Sequence, residues 1–227
     1  MSEVDRVRER YARRRALDES YDNLAPDHYL AGQAKDRAVL HWMRTCGMAP
    51  LRERRLLDIG CGSGGDLLGM IRMGLEPSNL VGYELLAERV ADARHRLPSA
   101  VRIECGDALE LPEQEQSFDI VMQSLVFTSL LDDDYQQRLA ERLWSLVKPG
   151  GGILWFDFVY DNPRNRDVRG VPVRRIGELF PHGDLKSWRV ELAPPLARQV
   201  VKIHPRLYTV FNAVPLLRTH VLCWIRK

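Results

Sequence analysis

The stretch Leu56-Leu57-Asp58-Ile59-Gly60-Cys61-Gly62-Ser63-Gly64-Gly65 decides the fold. Its first four residues form a short apolar run typical of a buried strand, and the amphipathic segment after the glycines ends at Gly74. Glycines between a strand and a helix let the backbone approach a ligand and leave helix N–H groups free to bind it. The stretch therefore predicts the first strand, the ligand-binding loop and the first helix of an α/β sheet.

Short apolar runs and amphipathic segments alternate after this stretch, as expected for strands and helices that take turns around a parallel sheet. The Lys148-Pro149-Gly150-Gly151 sequence is expected to be the turn that ends a helix over 132–147. The pattern predicts a doubly wound sheet of seven strands. These strands are expected at 56–59, 79–83, 101–105, 118–122, 152–158, 187–193 and 220–225.

The first 50 residues differ in kind from the rest. Residues 1–30 are rich in arginine without a clear period, and a regular helical pattern begins at Ala31. We expect residues 1–50 to form an N-terminal helical cap and residues 51–227 to form the main domain. The basic arm that contains Arg6 and Arg10 also carries acids, which favours a solvated amphipathic helix.

Composition and charge exclude several classes of protein. The 227 residues are 45% hydrophobic and 28% charged, and 33 Lys and Arg against 31 Asp and Glu leave a formal charge of +2. These values are typical of a soluble globular domain and give no reason to expect a nucleic-acid partner. The arginine-rich start is unlike a signal peptide, and no apolar run is long enough to span a membrane.

The cysteines indicate neither a metal site nor a disulfide framework. Cys46, Cys61, Cys105 and Cys223 show no Cys-x-x-Cys pair and no nearby His in zinc-ligand spacing. Free cysteines are typical of a reducing compartment. We therefore expect a cytoplasmic protein without a bound metal.

The glycines alone leave two cofactors open. Gly60, Gly62 and Gly65 satisfy the dinucleotide pattern, and Glu84 follows at the distance expected of an acid that binds ribose. Asp58 favours the second cofactor, because a carboxylate at the mouth of the strand would repel a pyrophosphate but attract the positive charges of S-adenosylmethionine. Asp107 ends the third strand, where its carboxylate could accept from an adenine amino group.

Five motifs resemble class I S-adenosylmethionine-dependent methyltransferases. They are Leu57–Gly64, Val81-Gly82-Tyr83-Glu84, Gly106-Asp107-Ala108, Ser117–Val121 and Leu146–Gly151. The resemblance implies a Rossmann-like sheet with an antiparallel last strand and S-adenosylmethionine as cofactor. It places the cofactor against Asp58, Gly60, Cys61, Gly62, Gly64, Glu84, Leu85, Asp107, Ala108 and Gln123.

The acceptor of the methyl group is expected beyond the fourth and fifth strands. The Asn/Asp-Pro-Pro-Tyr/Phe motif of amine-methylating relatives is absent after strand four, which favours a small-molecule, sugar or glycan acceptor and O-methylation. The C-terminal third is similar to uncharacterised bacterial methyltransferases associated with surface-polysaccharide biosynthesis. Candidate acceptor-binding residues are Tyr29, Phe127, Asn162, Arg166 and Arg169.

A hydroxyl acceptor also needs a general base. The candidates are Asp157, His28 and Tyr160. The segment 196–217 is apolar with basic interruptions, and it could face the tail of a lipid-linked acceptor or pack as a cap.

Two other functions remain open from the sequence. A nicotinamide-dependent oxidoreductase would use the same glycines and Glu84 but would leave Asp58 and Asp107 without a role. A non-catalytic scaffold of the same fold would use the basic N-terminal arm as its binding surface.

Overall fold

The structure is a computed structural model, and it describes residues 2–15, 25–163 and 165–227. Tyr21 and Arg164 lie outside the described residues. The helices are α1 (Glu3–Arg15), α2 (Pro26–Thr45), α3 (Gly65–Arg72), α4 (Ala87–Arg96), α5 (Asp133–Leu146), α6 (Val173–Leu179), α7 (Pro194–Ile203) and α8 (Arg206–Asn212). The strands are β1 (Leu56–Ile59), β2 (Leu80–Glu84), β3 (Arg102–Cys105), β4 (Phe118–Ser124), β5 (Val147–Phe158), β6 (Asp184–Leu192) and β7 (Arg218–Arg226).

The seven strands form one sheet in the order β3-β2-β1-β4-β5-β7-β6. Strands β1 to β5 are parallel to their neighbours, whereas β7 lies antiparallel between β5 and β6. The strand order changes direction at β1, because β2 and β3 lie on one side of it and β4 and β5 lie on the other. Open α/β sheets bind ligands in the crevice at this point. The predicted doubly wound, seven-stranded architecture with an antiparallel last strand is confirmed.

Both faces of the sheet are covered, because alternate residues of each strand point to opposite sides. Leu56, Met122 and Trp224 pack on the side of α2, α3, α4, α7 and α8. Leu57, Val121 and Trp155 pack on the side of α5 and α6. This two-sided burial explains the continuous apolar runs from which the strands were predicted.

The N-terminal helices are present, but they differ from the expected pattern. Helix α2 begins at Pro26 rather than Ala31, since proline is well suited to the first turn of a helix. Trp42 of α2 is fully buried and packs on Trp224 of β7, with ring centroids 5.1 Å apart. The division of the chain at residue 50 stays a prediction, although α2 shares the core of the sheet.

Helix α1 is not the solvated arm that the charge pattern predicted. Glu3 is buried and accepts hydrogen bonds from Arg10, at 2.6 Å, and from the backbone N–H of Leu131, at 2.9 Å. Arg6 bridges Glu3 to Asp132. These contacts hold α1 against the loop that follows β4, and they occupy Arg6 and Arg10 of the basic arm.

The Lys148-Pro149-Gly150-Gly151 sequence lies inside β5 rather than in a turn before it. The pairing with β4 shifts register between Phe118 and Ile120, which accommodates the irregular start of β5. A Cβ on Gly151 would lie 2.5 Å from the carbonyl oxygen of Asp119, so glycine is required where the two strands approach.

Candidate active site

The glycine loop lies at the carboxyl end of β1, as predicted. Gly60, Gly62 and Gly64 all have left-handed φ angles, of 68°, 55° and 82°, a conformation that glycine adopts without strain. A Cβ on Gly60 would lie 2.5 Å from Cγ2 of Val126, whereas a Cβ on Gly62 would meet no atom within 4 Å. The loop is therefore packed against the protein at Gly60 and open at Gly62.

Asp58 is a buried carboxyl group beside the glycine loop. Its side chain is 1% exposed, and neither carboxylate oxygen has a hydrogen-bond partner. Burial, followed by the charge of Asp66, raises the pKa of Asp58 well above its usual range. A buried carboxylate without a partner is costly, and a positively charged ligand would satisfy it.

Glu84 reaches from the end of β2 to the same loop. One carboxylate oxygen accepts from the N–H of Gly62 at 2.9 Å, and the other accepts from the N–H of Leu86 at 3.0 Å. Each oxygen keeps a second lone pair on which a ribose hydroxyl could bind. Glu84 thus fixes the loop and presents an acceptor edge beside it.

Asp107 and Ala108 follow β3, on the same edge of the sheet. Oδ1 of Asp107 accepts from the N–H of Leu109 at 2.9 Å and from the hydroxyl of Tyr135 at 2.6 Å. Both bonds converge on one oxygen, which leaves Oδ2 for another donor. Burial, followed by the bond to Asp107, raises the pKa of Tyr135, so the phenol stays protonated as a donor.

Three of the predicted cofactor residues contribute differently from Asp58 and Glu84. The Cys61 side chain packs in the core, and burial raises the pKa of its thiol, so only its backbone faces the loop. Leu85 packs at the edge of the opposite core. Gln123 lies inside β4, is fully buried, donates to Asp157 at 2.9 Å and accepts from the N–H of Val126. Its side chain also lines a cavity next to the loop.

This cavity lies between α2, α3 and the ends of β4, β5 and β7. Its walls are mostly apolar, with Met70, Met122, Leu154, Phe156 and Leu222 among the lining residues. The polar part of the wall contains an ion pair, together with Asp36, Arg72, Gln123 and Ser124. Lys35 Nζ lies 2.6 Å from Asp66 Oδ2 and 2.8 Å from the hydroxyl of Ser124.

Lys35 sets the charge of this wall. Burial alone would raise the pKa of Asp66, but the charge and hydrogen bonds of Lys35 outweigh it and hold that pKa below its ordinary value. The ammonium also lies 4.4 Å from the centroid of the Phe156 ring, a cation–π contact. Sequence reasoning missed Lys35, because nothing in a helical pattern indicates which basic residue faces inward.

A second buried pair lies beside the cavity and was also missed. His220 of β7 stacks on Phe156, with ring planes 9° apart, and its Nδ1 lies 3.4 Å from Oε2 of Glu191 in β6. Burial lowers the pKa of His220 to about 4 and raises the pKa of Glu191 to about 7. The positive φ of Glu191 cannot be predicted from sequence, because it depends on its neighbours in the sheet.

The structure does not present Asp157 to an acceptor. Its side chain is fully buried, and its two oxygens accept from Gln123 Nε2 and from the hydroxyl of Thr128, both at 2.9 Å. Burial raises its pKa to about 7. The role of Asp157 as a base stays a prediction, and its contacts favour a positioning role.

The other two candidate bases lie on the surface of the described structure. Tyr160 is 53% exposed, and its hydroxyl accepts from Arg189 at 2.8 Å. His28 lies on α2, with Nε2 3.9 Å from a carboxylate oxygen of Asp27. Both roles stay predictions.

The acceptor-binding residues are only partly brought together. Phe127 needs a correction, because it is fully buried and packs on Trp155 at 4.3 Å, in the core rather than in a binding site. Arg169 pairs with Asp133, which neutralises its charge. Tyr29, Asn162 and Arg166 are exposed, and their roles stay predictions.

Comparison with known proteins identifies the domain. Residues 56–151 match the family model described as a methyltransferase domain. This match supports the predicted cofactor, S-adenosylmethionine.

Curated relatives of the methyltransferase domain act on different acceptors. The chain is 30% identical to a demethylmenaquinone methyltransferase of Deinococcus radiodurans, over 63% of this chain and 60% of the relative. It is 34% identical to a 27-O-demethylrifamycin SV methyltransferase of Amycolatopsis mediterranei, over 60% of this chain and 50% of the relative. The chain thus spans 50 to 60% of the length of these relatives.

Solved structures share the fold at low identity. A 1,6-didemethyltoxoflavin-N1-methyltransferase of Burkholderia thailandensis matches with a TM-score of 0.63 and 19% identity, over 99% of this chain and 87% of that one. The [4+2]-cyclase SpnF matches with a TM-score of 0.61 and 18% identity, over 86% and 82%. Because a cyclase shares the fold, the fold alone does not assign the reaction.

Proposed function

We propose that this chain transfers a methyl group from S-adenosylmethionine to a hydroxyl group of a largely apolar small molecule. One observation carries the proposal: the buried Glu191–His220 pair lies beside an apolar cavity at the sheet edge that holds the glycine loop. When bound, S-adenosylmethionine supplies an activated methyl group on a sulfonium. The protein must then orient the acceptor and remove its proton.

Asp58, Gly62 and Glu84 would hold the cofactor. The unpartnered carboxylate of Asp58 fits a positively charged group, and the open space at Gly62 allows close approach. Glu84 offers its free lone pairs to hydroxyl groups. The buried carboxyl group of Asp58 beside the glycine loop is the feature that disfavours the pyrophosphate of a nicotinamide cofactor, because it could ionise only next to a positive charge.

His220 is the base in this proposal. Its Nδ1 faces Glu191 and the hydroxyl of Thr219, at 3.4 and 3.2 Å, so Nε2 is the ring nitrogen left for an acceptor hydroxyl. Burial keeps the imidazole neutral near pH 7, and a neutral imidazole can accept a proton. Glu191, whose pKa is raised to about 7, would in its ionised form stabilise the imidazolium that forms.

The cavity wall supports an apolar acceptor more than a sugar. Its apolar side chains are methionine, leucine, valine and phenylalanine, and its polar groups are Lys35, Asp36, Asp66, Arg72, Gln123 and Ser124. Such a lining is typical of sites that bind an apolar body and fix its orientation with a few polar contacts. The names of the relatives, which include a demethylmenaquinone and a phthiotriol dimycocerosate methyltransferase, are consistent with this class. The link to polysaccharide synthesis remains a prediction.

The test separates cofactor binding from methyl transfer. Calorimetry should detect S-adenosylhomocysteine but not NAD, and labelled S-adenosylmethionine should then methylate one of three probes: 27-O-demethylrifamycin SV, demethylmenaquinol or a nucleotide sugar. Replacing His220 by Asn keeps a group near Glu191 but removes Nε2. We expect H220N to lower kcat about 10²- to 10⁴-fold with S-adenosylhomocysteine affinity almost unchanged.

D157N is the matched comparison, because its amide can still accept from Gln123 and donate to Thr128. If D157N abolished turnover and H220N did not, Asp157 would be the base. If S-adenosylhomocysteine did not bind, the methyltransferase proposal itself would fail.

A further inference from the structure

The segment 194–217 links β6 to β7 and contains α7, α8 and the short turn Pro215–Leu217. Its inner side packs on the sheet, since Ala197, Val200 and Tyr208 are buried in the same core as Trp224. This packing is the cap that the sequence left open as one of two alternatives. The outer side of the segment is more informative.

Large apolar side chains lie on that outer side. Ile203 is 77% exposed and Leu216 is 91% exposed, and Val210 and Val214 are also exposed. The outer face of a helix on a soluble domain is normally polar. Four exposed aliphatic side chains within 14 residues of one segment therefore suggest that something covers them.

The charge of the segment points to what covers them. Residues 194–217 contain no Asp or Glu, whereas Arg198, Lys202 and Arg206 are all exposed. Lys202 and Arg206 flank Ile203 in the chain. Exposed aliphatic residues next to cations of one sign are the combination that binds an anionic lipid interface, because the apolar groups enter the boundary and the cations meet the headgroups.

We propose that the segment 194–217 is a docking surface for an anionic lipid bilayer. The charges disfavour a second copy of this chain as the occupant. In a symmetric dimer the same patch faces itself, so Arg198, Lys202 and Arg206 would meet their own copies with no acid in the segment to neutralise them. A bilayer supplies the opposite charge.

Docking of the segment 194–217 on a bilayer would affect how an acceptor reaches the cavity. The segment begins after Leu192 and ends before Arg218, next to Glu191 and His220. A bilayer bound there would lie at the sheet edge that holds the cavity, where an apolar acceptor could enter from the lipid phase. Membrane binding itself needs no methyl transfer, so it can be tested even if the proposed function fails.

The test is flotation of the full chain with vesicles. One set contains phosphatidylcholine alone, and the other also contains about 30% phosphatidylglycerol, which gives a negative surface. We expect binding to the anionic set only, and loss of binding at about 0.5 M salt, because salt screens the headgroup charges. The double variant K202E/R206E should lower the bound fraction about fivefold or more. The variant I203S/L216S should lower it comparably.

Matched controls lie elsewhere on the surface. L68S removes an exposed leucine of α3, and R52E reverses an exposed arginine, so both should float like the unmodified chain. Binding that is equal for all variants, or no binding to anionic vesicles, would overturn the proposal. So would a dimer in light scattering that I203S/L216S dissociates, because a second copy would then cover the surface.

Discussion

Oε2 of Glu191 lies 3.4 Å from Nδ1 of His220, across the pairing of β6 with β7. In a regular strand Glu191 would point away from the face that Val190 and Leu192 share, and both of these neighbours lie in the core beneath α2. The left-handed φ of 57° at Glu191 breaks that alternation and allows its carboxylate to reach His220. A non-glycine residue in this conformation stores strain, which is typical of functional sites.

The pH dependence of stability should report on Glu191. Its pKa is raised to about 7 in the folded protein, so the stability that its neutral form provides is present at low pH and is lost as the pH rises towards 7. Glutamine mimics the neutral acid. We expect the variant E191Q to gain stability relative to the unmodified chain between pH 5 and pH 8, measured as the free energy of unfolding in urea.

Two other groups titrate in the same range, so the comparison must be between variants. The raised pKa of Asp157 makes stability fall as the pH rises, as it does for Glu191. The lowered pKa of His220 makes stability rise with pH instead. Both groups are also present in E191Q, so to first order their effects cancel in the difference in unfolding free energy between E191Q and the unmodified chain. E53Q changes an exposed carboxylate and should leave the difference flat with pH. A flat difference for E191Q would show that Glu191 is ionised throughout.

Replacing Asp58 by Asn should weaken cofactor binding without unfolding the protein. The free carboxylate is buried and its pKa is raised well above the usual range, so asparagine resembles the neutral form that the free protein favours. The ammonium group that S-adenosylmethionine and S-adenosylhomocysteine share would pair with the ionised carboxylate, which asparagine lacks. We expect S-adenosylhomocysteine affinity to fall by about 1.5 to 3 kcal/mol, that is about 10- to 150-fold, measured by calorimetry at pH 7.

The same residue links binding to pH. Because burial raises the pKa of Asp58 in the free protein and a positively charged ligand would lower it, binding should release protons, and affinity should rise with pH in the unmodified chain. D58N should lose this dependence. If the two proteins showed the same pH profile, Asp58 would not be the titrating group.

Gly60 and Gly62 form a matched pair. Both have left-handed φ angles, so alanine introduces similar backbone strain at each. At Gly60 the new Cβ would also collide with Val126, whereas at Gly62 it would enter open space. We expect G60A to be less stable than G62A by about 1 to 3 kcal/mol in chemical denaturation.

Cofactor binding should show a different pattern. G62A places a methyl group where the cofactor is proposed to approach, so it should lose most of its affinity for S-adenosylhomocysteine. Its stability should stay close to that of other variants in which alanine replaces a glycine with a left-handed φ angle. Normal affinity in G62A would mean that the cofactor does not contact this part of the loop.

Glu3 should control the docking of α1. Its side chain is 2% exposed and is held by Arg6, Arg10 and Leu131. These hydrogen bonds outweigh the effect of burial and lower its pKa. Removing one partner of a buried ion pair can lower the free energy of unfolding by about 3 to 5 kcal/mol. This loss is larger than the free energy that normally holds a terminal helix in place. We expect E3Q to raise amide hydrogen exchange throughout residues 3–15 while β1 stays protected.

Glu9 provides the control, because it lies on the same helix and is exposed. E9Q should exchange like the unmodified chain. If E3Q also left α1 protected, apolar contacts such as those of Val7 would be sufficient to dock the helix.

The sequence by itself determined the order of strands and helices, the glycine loop and the position of three acids, Asp58, Glu84 and Asp107, at the strand ends of one sheet edge. These features are local, because apolar runs, glycine positions and acids at strand ends can be recognised within a few residues. The antiparallel last strand followed only from the resemblance to known methyltransferases. The start of α2 at Pro26, the docking of α1 and the extended start of β5 were not predicted.

Only the tertiary structure decided which polar residues meet. Lys35 and Asp66 are far apart in the chain, and so are Glu191 and His220, yet each pair lies in contact. Asp157 and Phe127, which the sequence offered as functional, lie buried with structural partners. Local patterns fix which residues lie on one face of a strand or helix, but pairing across elements depends on sheet order and on strain at single positions such as Glu191.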